Sequence, residues 1–326
     1  MRPDAESVLT PAEYYDDRHA RGWMDEWPEA KRSRVVNLIR DVAGEAPARI
    51  LEYGCGVGVF ANAMKQAMPQ WEVHGCDISS TGVARARERY SGVEFHVLTE
   101  GSATPSLGKF DVIYTHHVLE HVDDVGKALA RISRALKPGG KAVHIAPCAN
   151  AGSLEHTISR LKDNGATANG CFHHDDSSHV RRLTSAELTE ACRREGMLPR
   201  TTLFANQFWG GLDYLTAEYH RTLLDWLSPA GAATAAARRK LSALTIGIVG
   251  LSLLRKGPKY VFSLFGEPAS LGKKLALTLF AIPAALFYPF ATAIDRFIRA
   301  MASWEWKSKR FQPNGSEMYA VFEKAG

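Results

Sequence analysis

"ILEYGCGVGVF", residues 50–60, decides the fold. A short apolar run carries Glu52, glycines follow at alternate positions as Gly54, Gly56 and Gly58, and an apolar helical pattern begins at once. A strand that turns through glycines into a helix brings bare backbone and a helix N-terminus against one ligand, the way open α/β sheets hold nucleotides. The dinucleotide fingerprint is G-x-G-x-x-G, and Val59 stands where its third glycine would fall. The turn therefore suits a nucleotide other than the cofactor of a dehydrogenase.

Working outward, short apolar runs alternate with amphipathic stretches. "RILEYG", "WEVHGC", "VEFHVL", "FDVIYT" and "KAVHIA" read as strands, with helices over "FANAMKQAM" (stopped by Pro69), "TGVARARERY" and the stripe Val125, Leu129, Ile132, Leu136, which ends at a turn "KPGG". Parallel strands need crossovers, so this alternation predicts a doubly wound α/β domain. Upstream, Thr10, Pro11 and Glu13 form a capping box that starts a helix, and a second helix is expected over residues 31–42. Downstream, "LTSAELTEACRREG" reads as a helix capped by Thr184 and Glu187 and closed by Gly196, "TTLFANQ" as a sixth strand and "EMYAVFEK" as a seventh. Residues 1–206 and 315–326 are expected to form the sheet domain, with N-terminal helices over about 10–45, and residues 207–314 a helical insertion.

The chain has 326 residues and a formal net charge of +5. Residues 207–316 hold 14 Lys and Arg against 6 Asp and Glu, so the basic character is confined to the insertion. The first residues lack a signal-peptide core, which argues for the cytoplasm. Five cysteines are scattered singly and read as reduced thiols.

Four stretches in order, "LEYGCGVG", "HGCDIS", "FDVIYTHHVLEHVDD" and "LKPGGKAVHIAP", resemble the class I S-adenosylmethionine-dependent methyltransferases, over residues 30–200 and the last strand. The resemblance implies a mostly parallel, seven-stranded Rossmann-like sheet and S-adenosylmethionine as cofactor. It further implies that Glu52 holds the methionine amino group through water, that Gly54, Gly56 and Gly58 line the methionine, that Asp77 takes both ribose hydroxyls and that Ile78 flanks the adenine. Thr99 or Glu100 would meet the adenine amino group, although the family usually has an acidic residue at the position of Thr99. His116 falls at the cofactor pocket as well.

Ligands in such sheets lie beyond the carboxyl ends of the strands, where "HHVLEH" and "CFHHDDSSH" fall. Methyl transfer to oxygen needs a base, and histidine serves near neutral pH. If "HHVLEH" is helical, His117, Glu120 and His121 share one face. They are the candidate catalytic groups, with His117 or His121 as base. The same trio, with His174 or His179 added, is a candidate site for a divalent metal. Some ubiquinone-type O-methyltransferases hold a metal through Glu-x-x-Glu-His at this place, and this chain has His117 where the first Glu would stand. Asp123 and Asp124 read as helix caps and Cys148 as packing.

In the insertion, the uncharged run over residues 241–254 is too short to span a bilayer; that over residues 275–294 has spanning length but contains Pro283 and Pro289. The strands on either side must meet in one sheet, so an odd number of crossings is impossible. Flanking basic residues with Trp304 and Trp306 fit an element lying in the headgroups of an anionic membrane. A soluble cap over the site or a dimer interface is the plainer alternative. The expected function is O-methylation of a hydrophobic or lipid-linked acceptor at the inner membrane face. The alternatives are a soluble small-molecule methyltransferase and a non-catalytic scaffold that only binds the cofactor; nucleic acid is not an expected partner.

Overall fold

The computed structural model describes residues 10–98, 107–162, 168–173, 175–217, 220–263 and 271–326. Two compact units make up the chain: residues 1–147, 185–202 and 319–326 form the first, and residues 148–184 and 203–318 the second. The second unit thus takes in residues 148–184 in addition to the stretch expected to be an insertion.

Helices α1 (Pro11–Ala20) and α2 (Glu29–Ala43) lead into β1 (Arg49–Tyr53). The alternation continues through α3 (Val59–Ala67), β2 (Glu72–Asp77), α4 (Ser80–Arg89), β3 (Glu94–Val97), β4 (Phe110–His116), α5 (Val125–Ala135) and β5 (Leu136–Pro147). Then come α6 (Leu154–Arg160), α7 (Ser185–Arg194), β6 (Met197–Ala205), α8 (Trp209–Ala217), α9 (His220–Trp226), α10 (Ala235–Ser263), α11 (Leu271–Lys309) and β7 (Glu317–Lys324). Seven strands form one Rossmann-like sheet in the order β3-β2-β1-β4-β5-β7-β6, and the pairs β1–β2, β1–β4, β2–β3 and β4–β5 are parallel. The order reverses between β1 and β4, the point at which such a sheet opens a crevice.

The expected capping box is present at the start of α1: Glu13 N–H donates to Thr10 Oγ1 and the Glu13 carboxylate accepts the Thr10 amide. The stripe Val125, Leu129, Ile132 is buried along α5, each side chain contributing about 2 kcal/mol by leaving water. Asp124 caps that helix by accepting the Lys127 amide at 2.9 Å. "KPGG" is not the expected turn but the beginning of β5. Leu136 already pairs with Phe110, and the register then shifts between Phe110 and Val112. Pro138 lacks an N–H and disfavours helix at Lys137, which commits the chain to extended backbone one residue after α5 ends. All five cysteines are buried, and none is in a disulfide.

In the second unit, α10 and α11 pack together. Ala284, Ala291, Ile298 and Glu305 recur every seven residues on the buried side of α11. Glu305 accepts the amides of Phe208, Trp209 and Gly210 at 2.9–3.0 Å, satisfying the N-terminus of α8. Arg255 is buried between Asp213 (2.7 Å) and Asp295 (2.5 Å). Among the described residues no helix is long and apolar enough to cross a membrane.

Candidate cofactor and active site

A cavity of about 330 Å³ opens at the carboxyl ends of β1, β2 and β4 in the first unit. Glu52, Gly54, Gly56, Asp77, Ile78, His116, His117 and His121 line it; Gly58 and Glu120 do not, and Thr99, Glu100 and His174 lie outside the described residues. The glycine turn is folded as its sequence predicts. Gly54 has φ +81°, and a Cβ there would collide with Val118 Cγ2. Gly58 has φ +78°, and its Cβ would lie 2.6 Å from the Phe95 ring, so Gly58 serves the turn by packing and by starting α3.

Two carboxylates organise the turn. Asp77 accepts the Gly56 amide through Oδ2 and the Ser79 amide through Oδ1, both at 2.8 Å. Burial raises its pKa while those amides oppose the rise. Glu52 accepts the Ala61 amide at 2.8 Å inside the first turn of α3. Burial dominates at Glu52 and pushes its carboxyl up to about 8.

"HHVLEH" is a turn rather than a helix, because His117 has φ +54° and the His121 amide closes back on the Val118 carbonyl at 3.0 Å. The expected trio still gathers. His117 Nδ1 lies 2.9 Å from Glu120 Oε1, and His121 Nε2 lies 4.0 Å from the same oxygen. Glu120 is buried, which raises its pKa, but the hydrogen bond and charge of His117 and the charge of His121 hold it below the usual carboxylate range. The carboxylate thus fixes the proton of His117 on Nδ1 and makes Nε2 its basic nitrogen. His116 is buried against Phe60 (ring centroids 4.2 Å) and Trp27 (4.7 Å).

Residues 24–197 match the family model described as "Methyltransferase domain", which covers β1 to β5, the glycine turn and the histidine turn. The chain belongs to this family. Residues 24–197 are thus a methyltransferase domain by family. The chain is 33% identical over 132 residues to a ubiquinone biosynthesis O-methyltransferase of Aromatoleum aromaticum, covering 37% of this chain and 56% of that protein. It is 33% identical over 113 residues to a trans-aconitate 2-methyltransferase of Acidovorax ebreus, covering 34% and 43%. A phosphoethanolamine N-methyltransferase 2 of Haemonchus contortus, solved with S-adenosylmethionine, is 15% identical with a TM-score of 0.48, covering 100% of this chain and 62% of that one. The chain spans about half the length of the curated relatives it matches.

One wall of the cavity holds none of the residues expected from the sequence. Tyr15, His19, Trp23, Met24 and Trp27, from α1 and the segment after it, line the cavity opposite no predicted site. Asp16 ties α1 down by accepting from Ser79 Oγ (2.6 Å), Ser80 Oγ (3.1 Å) and the Thr81 amide (2.8 Å) at the start of α4. Rings then link across the wall, Tyr15 with His121 at 6.0 Å and Trp27 with His117 at 5.7 Å. The signal in the sequence was two tyrosines and two tryptophans within residues 14–27, a density a solvated helix would not need.

Proposed function

We propose that the chain is an O-methyltransferase acting on a hydrophobic or lipid-linked acceptor at a membrane surface. The observation that carries the reading is one cavity that joins Asp77 and the glycine turn to His117, itself held by Glu120. The donor set fits S-adenosylmethionine: Glu52 for the methionine amino group, Gly54 and Gly56 of the turn for the methionine chain, Asp77 for the ribose hydroxyls, and Ile78 and Leu98 beside the adenine. Bound there, S-adenosylmethionine supplies a methyl group carried on a sulfonium.

The residues of the chain orient and deprotonate the acceptor. His117 takes the hydroxyl proton through Nε2, with His121 as the second candidate, and Glu120 stabilises the imidazolium that results. Aromatic side chains of the α1 wall exclude water from the cavity. The names of the ubiquinone biosynthesis relatives support oxygen as the acceptor atom.

The second unit supports the surface reading. Ile282, Leu286, Phe290, Phe297 and Trp304 are all exposed, at spacings that place them on one face of α11. Residues 207–316 carry 14 basic against 6 acidic residues, the charge that anionic headgroups attract. The test incubates the purified chain with labelled S-adenosylmethionine and anionic vesicles loaded with a lipid extract. Label in a lipid acceptor and flotation with the vesicles support the reading. Label confined to water-soluble acceptors, with the protein left at the bottom of the gradient, overturns the surface assignment. An absence of cofactor binding by calorimetry overturns the enzymatic one.

A further inference from the structure

Outside the cavity, three donor atoms converge at the β2–β3 edge of the sheet. His74 on β2 is the direct cross-strand partner of Glu94 on β3, and His96 follows Glu94 by two residues on the same face. We propose that His74, Glu94 and His96 form a binding site for a divalent transition metal of the zinc type.

The spacing of the donors carries the argument. His74 Nδ1 lies 3.4 Å from His96 Nε2 and 3.6 Å from Glu94 Oε2, and His96 Nε2 lies 4.0 Å from Glu94 Oε2. Ligands of a tetrahedral ion at metal–donor distances of about 2.0–2.2 Å stand roughly 3.3–3.6 Å apart. Two imidazole nitrogens and one carboxylate oxygen are a donor set of that ion class. Only the exposed Glu94 side chain has to swing inward by a few tenths of an ångström.

The outer partners prepare His74 as a ligand. Its Nε2 lies 2.8 Å from Glu72 Oε1 and donates its proton there, so Nδ1 presents a lone pair to the other two donors. Arg49 grips Glu72 with two bonds of 2.8 and 2.9 Å, which holds the carboxylate in place against His74. The Glu72 carboxylate meets both His74 and Arg49, whose guanidinium lies 3.5 Å from His74 Nε2. The fourth position falls to water, since Glu94 and part of His96 reach solvent. β3 is a four-residue edge strand, and the Leu98 amide just beyond it donates to the Asp77 carbonyl at 2.7 Å. A metal there clamps the strand pair that ends at the cavity.

Metal-free protein titrated with Zn²⁺ against a chromophoric chelator, and separately with Co²⁺ followed by visible absorption, tests the site. One equivalent should bind with a tetrahedral cobalt spectrum and raise the melting temperature. Glu94→Gln and His96→Ala should weaken binding at least tenfold and abolish the metal-dependent rise while leaving the metal-free melting curve unchanged. Glu72→Gln should weaken binding by about ten- to hundredfold without removing a ligand. His117→Ala should leave the equivalent in place. An absence of stoichiometric binding, or binding that survives both Glu94→Gln and His96→Ala, overturns the proposal; in the latter case the two histidines share only a hydrogen bond.

Discussion

Asp77 Oδ2 accepts the amide proton of Gly56 at 2.8 Å, so the carboxylate expected to grip a ribose also holds the glycine turn beside it. One substitution therefore strikes binding and scaffold together, and two variants separate them. Asp77→Ala should lower S-adenosylmethionine affinity by about 100-fold, the worth of two bonds to a charged acceptor, and lower stability by about 1–3 kcal/mol through the unpaired Gly56 and Ser79 amides. Asp77→Asn keeps one acceptor oxygen for one of the two amides and should recover part of the stability but little of the affinity. Calorimetric titration and thermal melting read the two effects independently.

Glu52 is protonated in much of the population near neutral pH, because burial raises it to about 8. A folded value above the unfolded one means stability that is full below the ordinary carboxylate range and lost as pH rises through about 8. The stability of Glu52→Gln should therefore gain on that of the native chain between about pH 5 and 9, by up to about 4 kcal/mol. If Glu52 meets the cofactor's amino group, binding must ionise it. Titration at pH 7 in buffers of different ionisation enthalpy should then show proton release on binding, and Glu52→Gln should show none.

The sheet was legible because its signals are local. β1 through β5 announce themselves by apolar runs between turn residues, and Gly54 and Gly58 occupy positions where a side chain would strike Val118 or Phe95. Asp77 was legible for the same reason, as the acidic end of an apolar strand. Asp16 was not, because its partners Ser79, Ser80 and Thr81 lie more than sixty residues away and nothing in "EYYDDRHA" tells Asp16 from Asp17. The histidine turn was half legible. Its members meet as expected, but through the positive φ of His117 rather than a helical face, and that backbone state carries no sequence signature in a histidine.

Asp16 makes the α1 wall a measurable device. Asp16→Ala removes three bonds to the start of α4 and should cost about 1–3 kcal/mol in the unfolding of the first unit. Tyr15, His19 and Trp23 stand on or beside that helix and line the cavity, so the same variant should bind S-adenosylmethionine more weakly, chiefly through faster release. Stopped-flow tryptophan fluorescence follows both, since Trp23 and Trp27 border the cavity. An unchanged release rate with reduced stability would confine Asp16 to folding.

The His117–Glu120 pair gives the reaction its pH dependence. His117→Ala should lower kcat by about 10²–10⁴-fold and abolish the acid limb of the pH–rate profile, the behaviour of a lost general base. Glu120→Gln keeps the imidazole but removes the charge that stabilises it, so kcat should fall by about tenfold or more with little change in KM for the cofactor. Glu120 has a folded value below its ordinary one, so its contribution to stability is present above the ordinary carboxylate range and is lost as pH falls through the folded value. The destabilisation of Glu120→Gln should therefore be full at neutral pH and shrink on acidification. If His121→Ala instead reproduces the loss of kcat and the vanished acid limb while His117→Ala does not, the proton goes to His121, which lies 4.0 Å from the same carboxylate oxygen.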